Sequence, residues 1–275
     1  MDRKEVKKLE SIFRKISSKE LVGAEFRDSP LIYSVIGFLP ACEGTDQAML
    51  IGNLGYLLAQ QGFNTCIVDF KVFNPNLYYL FGVDPPARGK GLIRVLKSDK
   101  ADMREDIAST SEENLYLLSP SPYDLLEEYF EFGFAHIEQV LATLKGMFDI
   151  ILLDIPYNPP LEFCTGAMKH CHIGYFTAAE RIEAPGNMTK LLDFAASIGI
   201  STAKFTSVIM MNLHEIGLDY KVFKQMGFQI AAALPFVKAA TAYTQDGKLY
   251  VKDHPLQNKA FMKEMNRLRD SIINQ

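Results

Sequence analysis

Short apolar runs alternate with segments of helical periodicity along most of the chain. Residues 31–36 form a run that is apolar apart from Ser34, and after the irregular eight-residue link at 40–47 the apolar side chains from Met49 to Leu58 recur at the spacing of one helix face. This pattern predicts a buried strand, a loop and a helix. The same rhythm continues through the rest of the chain. Further strands are predicted at 64–70, 115–118, 173–177, 206–212 and 229–234, and in the run that ends at Asp154.

The composition is that of an ordinary globular chain with room for one large core. Of its 275 residues, 48% are hydrophobic and 23% are charged, and this length does not require a second core. The net charge of −4 and pI near 5.8 argue against a general nucleic-acid binder, which would carry a basic surplus. Because the sequence shows neither a run of about 18 apolar residues nor a signal peptide, we expect a cytoplasmic protein.

The amino-terminal residues differ from the remainder and are predicted to form a basic extension, 1–28, in front of a domain at 29–275. Apolar residues from Val6 to Ile16 recur at steps of three and four, which predicts an amphipathic helix. Such a helix packs on its own domain or frays, docks into a partner, or contacts an anionic membrane through residues 1–20. Its basic residues are Arg3, Lys4, Lys7, Lys8, Arg14, Lys15 and Lys19.

The cysteines follow no disulfide framework and suit a reducing compartment. Two of them fall with two histidines in residues 164–172, which raises the question of a metal site. No Cys-x-x-Cys pair is present, and adjacent side chains on one element point in different directions. We therefore expect no metal here and interpret the segment as a helix end that runs into a strand near Ile173. The four cysteines are Cys42, Cys66, Cys164 and Cys171.

The link after the first strand carries the first sign of a known family. It reads P-A-C-E-G-T-D-Q and resembles the loop K-G-G-x-G-K-T-T of the MinD/ParA group of P-loop ATPases. In this comparison Pro40 and Thr45 stand where the family has lysines, Asp46 and Gln47 stand where it has threonines, and Gly44 is retained. The resemblance implies a phosphate-binding loop, in which backbone N–H groups and a helix N-terminus hold the phosphates.

Acidic residues alter the chemistry of this loop. Glu43 and Asp46 bring carboxylates to the position of a triphosphate, where like charges repel. A second interpretation is that Asp46 or Thr45 caps the helix that follows. Gly44, Thr45 and Asp46 are nevertheless the residues of this loop that the resemblance implies as nucleotide contacts.

Later motifs match the same family in the same order. Asp69 matches the first aspartate of the family's D-x-D pair, and Lys71 replaces the second. The run F-D-I-I-L-L-D-I-P places Asp154 where the family has its magnesium-associated aspartate. Asn212 stands where the family reads the adenine edge, and Pro235 matches the end of its x-I-P motif. Turn capping is the alternative for Asp69, and turn formation is the alternative for Asn212.

Lys71 reverses a charge close to the acidic loop. A salt bridge from Lys71 to Asp46 or Glu43 would fill the phosphate position with the protein's own charges. This is a hypothesis about how the altered loop is stabilised.

The segment from Tyr123 to Phe134 is dense in aromatic and acidic residues. Such a segment forms either an adhesive surface patch or a helix that covers a sheet. We expect the second.

The resemblance runs in order from residue 31 to the end, with seven strand positions matched. It implies an α/β fold of P-loop NTPase type, a doubly wound, mainly parallel sheet flanked by helices. Within the group the altered loop and the segments P-N-L-Y-Y-L-F-G and N-L-Y-L-L-S-P-S-P look most like the TadZ/CpaE pilus-assembly branch.

Two functions follow from the resemblance. The first is a non-hydrolysing scaffold, a dimeric pseudo-ATPase that places or assembles a surface machine such as a Flp-type pilus or a secretion system. The second is an ATP-binding switch with slow hydrolysis that controls dimerisation. ATP is the ligand that the resemblance implies, while the altered loop argues against magnesium. Phosphoryl transfer depends almost wholly on positioning and electrostatics, so the loss of the loop lysines favours the scaffold.

Overall fold

The strands of the described chain form a single sheet. The structure, a computed structural model, describes residues 34–97, 103–158, 160–214 and 220–273. The extension predicted at 1–28 lies outside the described residues. In chain order the strands are β1 (Val35–Pro40), β2 (Thr65–Asp69), β3 (Ala108–Ser109), β4 (Leu115–Leu118), β5 (Ile150–Asp154), β6 (Ile173–Ala178), β7 (Ser207–Met211) and β8 (Gln229–Leu234).

The order of strands across this sheet is β3-β4-β2-β5-β1-β6-β7-β8. Only β3 with β4 is antiparallel, and the other pairs are parallel. Because β1 lies between β5 and β6, the chain moves outward from the centre in both directions. The predicted doubly wound, mainly parallel α/β sheet is confirmed. Strand β3 was not predicted, because two residues at a sheet edge carry no periodicity that a sequence pattern can show.

Helices cover both faces of the sheet, and buried apolar side chains form one core on each face. The first helix lies close to β2, because a Cβ atom at Gly55 would stand 2.9 Å from Cδ1 of Ile67. The helices are α1 (Gln47–Ala59), α2 (Leu77–Leu80), α3 (Leu92–Lys97), α4 (Phe134–Lys145), α5 (Leu161–His170), α6 (Ala184–Ser197), α7 (Lys221–Gln225), α8 (Lys238–Gln245), α9 (Tyr250–Asp253) and α10 (Lys259–Ile273).

The segment that raised the question of a metal forms a helix end followed by a strand. Helix α5 ends at His170 and β6 begins at Ile173, so the interpretation from the sequence is confirmed. All four cysteines are free thiols and buried.

The aromatic and acidic segment is neither a regular covering helix nor a uniform patch. Its middle forms a 3₁₀ helix, Leu126–Glu131. Tyr129 and Phe132 are buried, whereas Tyr123 and Phe130 are more than half exposed. The expectation that the segment is part of the core therefore holds for some of its aromatic side chains only.

None of the helices within the described ranges is both long and apolar enough to cross a membrane.

Candidate functional site

The carboxyl ends of β1, β2, β5 and β6 meet at one edge of the sheet, where the strand order reverses around β1. In open α/β sheets this is the place where ligands bind. A cavity of about 430 Å³ lies there. It is lined by the loop after β1, by the start of α1, by Lys71 and its neighbours after β2, and by residues 156–158 after β5.

The loop after β1 has the backbone of a tight turn into a helix. Ala41 donates its N–H to the Thr177 carbonyl at 2.8 Å, which fixes the loop to the end of β6. Gly44 has φ of +69°, where a side chain is disfavoured, and Asp46 has φ of +51°. Asp46 is the N-cap residue of α1, one of the two residues expected to cap this helix, but its side chain makes no capping hydrogen bond. Its carbonyl instead accepts the N–H of Met49 at 3.1 Å.

Asp154 lies at the centre of the site and has no exposed surface. Its Oδ1 accepts a hydrogen bond from Gln47 Nε2 at 2.6 Å. Its Oδ2 lies 2.6 Å from the ammonium of Lys71. Both carboxylate oxygens are thus engaged by the protein's own donors.

Gln47 connects this aspartate to the neighbouring strand. Its Oε1 accepts the hydroxyl of Thr177 at 2.6 Å, and its Nε2 also donates to the Phe38 carbonyl at 3.1 Å. The hydroxyl of Thr45 lies 3.3 Å from that of Thr177. The first residue of α1 therefore links β1, β5 and β6 beneath the loop.

Asp69 holds the turn that follows β2. Its Oδ1 accepts the N–H of Lys71 at 2.9 Å, and its Oδ2 accepts the N–H groups of Asn76 at 3.2 Å and Leu77 at 3.5 Å. Burial raises the pKa of Asp69 to about 7; Lys71 opposes this rise, and the nearby charge of Asp154 adds to it. The structure thus shows the turn-capping arrangement that was the alternative for this residue.

Lys71 remains a cation at neutral pH despite being buried. Desolvation acts to lower its pKa, but the carboxylates of Asp154 and Asp69 outweigh it and the pKa is raised. Its ammonium also donates to Oδ1 of Asn76 at 3.3 Å. The predicted salt bridge from Lys71 to Asp46 or Glu43 is wrong about the partner, since Asp154 takes that position.

The acidic residues of the loop have other surroundings. The hydroxyl of Tyr157 donates to Oε1 of Glu43 at 2.7 Å. Burial, followed by this bond to Glu43, raises the pKa of Tyr157 to about 12. Burial also raises the pKa of Asp46, while Thr241 and Lys71 act in the opposite direction. Glu43 and Asp46 both line the cavity, so its wall is acidic beside the Lys71 ion pair.

The predicted site residues separate into three groups. Gly44, Thr45 and Asp46 line the cavity, whereas Asp69 and Asp154 are fully buried. Asn212 and Pro235 are not among the described residues that line it. The full set of predicted site residues is Gly44, Thr45, Asp46, Asp69, Asp154, Asn212 and Pro235.

The amide of Asn212 is engaged within the protein. Its Nδ2 donates to the Leu234 carbonyl at 2.8 Å, and its Oδ1 accepts the Tyr220 hydroxyl at 2.9 Å. These bonds tie the end of β7 to the end of β8. The Asn212 amide could bind an adenine only if its hydrogen bonds to Leu234 and Tyr220 were broken.

The sequence did not identify Gln47 or Thr177 as site residues. A signal was present, because a glutamine begins a mostly apolar helix and a threonine stands at the last position but one of an apolar strand. Polar residues at these two positions lie at the ligand-binding edge of the sheet whenever the strands are parallel.

Solved structures with the same architecture belong to the MinD/ParA group. The septum site-determining protein MinD from Pyrococcus horikoshii OT3, complexed with Mg-ADP, is 21% identical with a TM-score of 0.71, over 86% of this chain and 95% of that one. A ParA family ATPase from Chlorobium tepidum TLS is 15% identical with a TM-score of 0.72, over 86% and 98%.

A third structure, the MinC:MinD cell division protein complex of Aquifex aeolicus, is 15% identical with a TM-score of 0.68, over 88% of this chain and 96% of that one. No family model matches the chain, and no curated protein sequence does. At these identities the likeness concerns the fold, and the chain has the fold of the MinD/ParA P-loop ATPases.

Proposed function

We propose that this chain is a MinD/ParA-like localisation and assembly scaffold that does not hydrolyse ATP. The observation that carries the proposal is the state of Asp154. The ammonium of Lys71 and the amide of Gln47 each lie 2.6 Å from one of its two oxygens. The position that the resemblance implies for the nucleotide's magnesium is therefore filled by the protein's own side chains.

The residues of this site do not fit a magnesium ion. Magnesium takes oxygen ligands in near-ideal octahedral geometry, and the resemblance implies Asp154 as its associated carboxylate. An ammonium group 2.6 Å from one oxygen occupies the space of the cation and supplies a positive charge in its place. The second oxygen already accepts a short hydrogen bond.

The loop also lacks the groups that would hold a triphosphate. Thr45 stands where the resemblance implies a lysine, and its hydroxyl faces Thr177 at 3.3 Å. The loss of a charge-assisted phosphate contact costs about 1.5–3 kcal/mol of binding. Repulsion from Glu43 and Asp46, both in the cavity wall, acts in the same direction.

The remaining parts of the proposal concern what the scaffold assembles with. The fold is one in which the Aquifex MinD of the MinC:MinD complex is joined to a second protein. The resemblance of the altered loop and its neighbouring segments to the TadZ/CpaE branch supports a pilus or secretion machine as the partner. We further propose a homodimer, with its place at the inner face of a membrane.

A calorimetric titration of nucleotide-free protein with ATP and with ADP, with and without magnesium, tests the scaffold. We expect no binding heat up to about millimolar nucleotide. A dissociation constant at that limit corresponds to about 4 kcal/mol of binding free energy. A dissociation constant of micromolar or tighter would overturn the scaffold.

A variant that restores the implied chemistry gives the matching positive result. Thr45→Lys, Asp46→Thr and Lys71→Asp together give three of the altered positions the residues of the family pattern, and they free the Asp154 oxygen that faces Lys71. We expect this triple variant to gain magnesium-dependent ATP binding. The conservative variant Thr45→Ser, which restores no charge, serves as its control.

An ATP-binding switch with slow hydrolysis is the second candidate. Gly44 retains its left-handed conformation, and a cavity of about 430 Å³ remains in front of α1. A ligand that displaced Lys71 from Asp154 would use this space. The same titration decides between the two candidates.

A further inference from the structure

A second cavity shares part of its wall with the first. It has a volume of about 360 Å³ and is lined by residues of α6, by Phe176 of β6, and by residues at the ends of β1 and β5. Pro40 and Tyr157 line both cavities. None of the described residues that line the second cavity is a predicted site residue. The nucleotide site therefore does not account for this space.

The wall of the second cavity is mostly apolar. Phe176 and Met188 are fully buried and belong to the core on that face of the sheet. Tyr157 and Phe194 also line the cavity, but they keep 42% and 41% of their surface exposed. Burial of apolar surface is favourable, and aromatic rings contribute large apolar areas. The cavity therefore suits a ligand with an apolar body.

A lysine supplies the charge of this wall. Lys190 on α6 lines the cavity and is exposed, and it forms no ion pair with a carboxylate in the part of the chain that the structure describes. The amide of Asn187, one turn earlier, donates to the Ala41 carbonyl at 3.1 Å and joins α6 to the loop after β1. The first cavity, by contrast, has Glu43 and Asp46 in its wall. The second cavity thus favours an anion.

We propose that the second cavity binds an apolar monocarboxylate, such as a medium-chain fatty acid or a bicyclic aromatic acid. The ammonium of Lys190 pairs with the carboxylate, and the rings of Tyr157 and Phe194 cover the apolar body. One ammonium matches one carboxylate. A nucleotide would leave most of its charges unpaired beside apolar side chains, which is costly. An amine would be repelled by Lys190.

The volume of the cavity limits the size of this ligand. A space of about 360 Å³ corresponds to about twelve water molecules at about 30 Å³ each. Decanoate and 2-naphthoate have about that many non-hydrogen atoms. Mostly apolar cavities of about 300–1,000 Å³ with a few polar groups are typical small-molecule sites, in which the polar groups fix the orientation of the ligand.

Tyr157 connects the second cavity to the first. Its hydroxyl donates to Oε1 of Glu43 at 2.7 Å, and the same residue lines the second cavity. A ligand packed against Tyr157 therefore restrains the residue that holds Glu43 in the wall of the first cavity. The inference goes beyond the proposed function and does not rest on it, because its test contains no nucleotide.

Calorimetric titration of the full chain with hexanoate, octanoate and decanoate tests the proposal. We expect the affinity to rise about fourfold for each added methylene that is buried. Octanoate should bind more tightly than 1-octanol and octylamine, which have the same chain with no charge or the opposite charge. A parallel titration with 2-naphthoate shows whether a ring or a chain fits better.

The variant Lys190→Gln removes the cation from the wall. It should lower the affinity for octanoate by about three- to fivefold, the effect of an exposed ion pair, and leave the affinity for 1-octanol unchanged. Lys224→Gln is the matched control. Lys224 is exposed on α7 and is not among the described residues that line the cavity, so this variant should bind octanoate like the unaltered chain.

A fluorescent reporter locates the bound ligand. The chain has no tryptophan, so Phe194→Trp places a single one in the wall of the second cavity. Its emission should shift as octanoate binds, with the dissociation constant that calorimetry gives for this variant. Circular dichroism melting of each variant separates a loss of binding from a loss of fold.

Five results would overturn the proposal. No binding heat with any carboxylate up to about 10 mM is the first. Equal affinities for octanoate, 1-octanol and octylamine, or an equal loss in Lys190→Gln and Lys224→Gln, would show that Lys190 selects nothing. An unchanged tryptophan emission during carboxylate binding would place the ligand elsewhere. A shift of this emission with protein concentration alone would show that a second copy of the chain covers the cavity.

Discussion

Lys71 is the residue on which the interpretation of the site depends most. It was noticed in the sequence as a reversed charge, but its partner could not be deduced. The motif pattern predicted a partner in the acidic loop, Asp46 or Glu43. The register of the sheet instead pairs Asp69 with Asp154 and places Lys71 just beyond them. Which carboxylate a lysine reaches depends on such side-chain geometry, which a motif does not contain.

Replacing Lys71 by methionine should destabilise the fold strongly. Asp154 is fully buried, and the side chain of Lys71 is only 15% exposed. Removing one member of a buried ion pair leaves an uncompensated charge, which costs about 3–5 kcal/mol. Urea unfolding of Lys71→Met measures this loss in the free energy of unfolding.

The exposed Lys90, replaced in the same way, is the control and should change the free energy of unfolding by less than about 0.5 kcal/mol. The double variant Lys71→Met/Asp154→Asn should lose much less than the sum of its single changes. A loss below about 1 kcal/mol for Lys71→Met would show that the ion pair is not a buried one.

His172 should make the stability of the protein sensitive to acid. Its Nδ1 accepts backbone N–H groups at the start of β1, and this requires the neutral ring. The pKa in the folded protein is lowered from 6.5, first by burial and then by Lys145 and Lys204. Below that value the unfolded chain binds the proton more readily, so the stabilisation is present above pH 6.5 and is lost as the pH falls.

Thermal unfolding between about pH 7.5 and about pH 5.5 checks this dependence. His172→Asn keeps an acceptor near the Nδ1 position and does not titrate, so its melting temperature should fall less over this range. Asp69, whose pKa is raised by burial, acts in the opposite direction in both proteins and cancels in the difference. Parallel curves for the two proteins would contradict the assignment.

At the scale of elements, the apolar pattern predicted most of the molecule. The run 115–118 was identified as a strand because parallel strands are buried on both faces and therefore continuously apolar. The strand at 173–177 was identified from its place in the order of the family's motifs. The first strand was predicted at 31–36 and lies at 35–40, because an apolar run does not show where its pairing begins. The 3₁₀ helix Leu126–Glu131 was not predicted, because it depends on the packing of aromatic side chains such as Tyr129, which leaves no periodic pattern in the sequence.

Gly174 shows how closely the elements are packed. It lies in β6, and a Cβ atom built on it would overlap the ring of Phe205, which is buried against Phe176 with the ring centroids 5.9 Å apart. We expect Gly174→Ala to destabilise the protein by about 1–3 kcal/mol, the usual cost of overpacking a core. Chemical denaturation measures the change.

Gly186 in α6 provides the comparison, because a Cβ atom there meets nothing within 4 Å. Gly186→Ala should be neutral or stabilising by up to about 1 kcal/mol, the difference in helix propensity. If Gly174→Ala were equally harmless, Phe205 would have to move without cost, and the packing of β6 would be looser than the structure shows.

At the scale of the whole molecule, the fold and the chemistry of the site had different origins in the sequence. The order of strands and motifs placed the site at the carboxyl edge of the sheet. The contents of the site depended on three contacts that cross between elements, from Lys71 and Gln47 to Asp154 and from Thr177 to Gln47. Contacts between residues 47, 71, 154 and 177 arise only when the sheet is assembled.

These contacts lead to a last prediction about the oligomer. A ligand shifts a conformational equilibrium only by its difference in affinity for the two states. Because Lys71 and Gln47 already join α1, β2 and β5 at Asp154, the connection that a bound nucleotide would make is present without one. The proposed dimer should therefore form equally in the presence and absence of ATP, ADP and magnesium.

Sedimentation velocity over a range of protein concentrations measures the dissociation constant of this dimer. The triple variant Thr45→Lys/Asp46→Thr/Lys71→Asp, in which the contact of Lys71 with Asp154 is removed, is the matched comparison and should become sensitive to ATP. A tenfold change in the dissociation constant of the unaltered chain on adding ATP, about 1.4 kcal/mol, would instead favour the nucleotide switch, because coupling of that size requires the nucleotide to bind one assembly state more tightly.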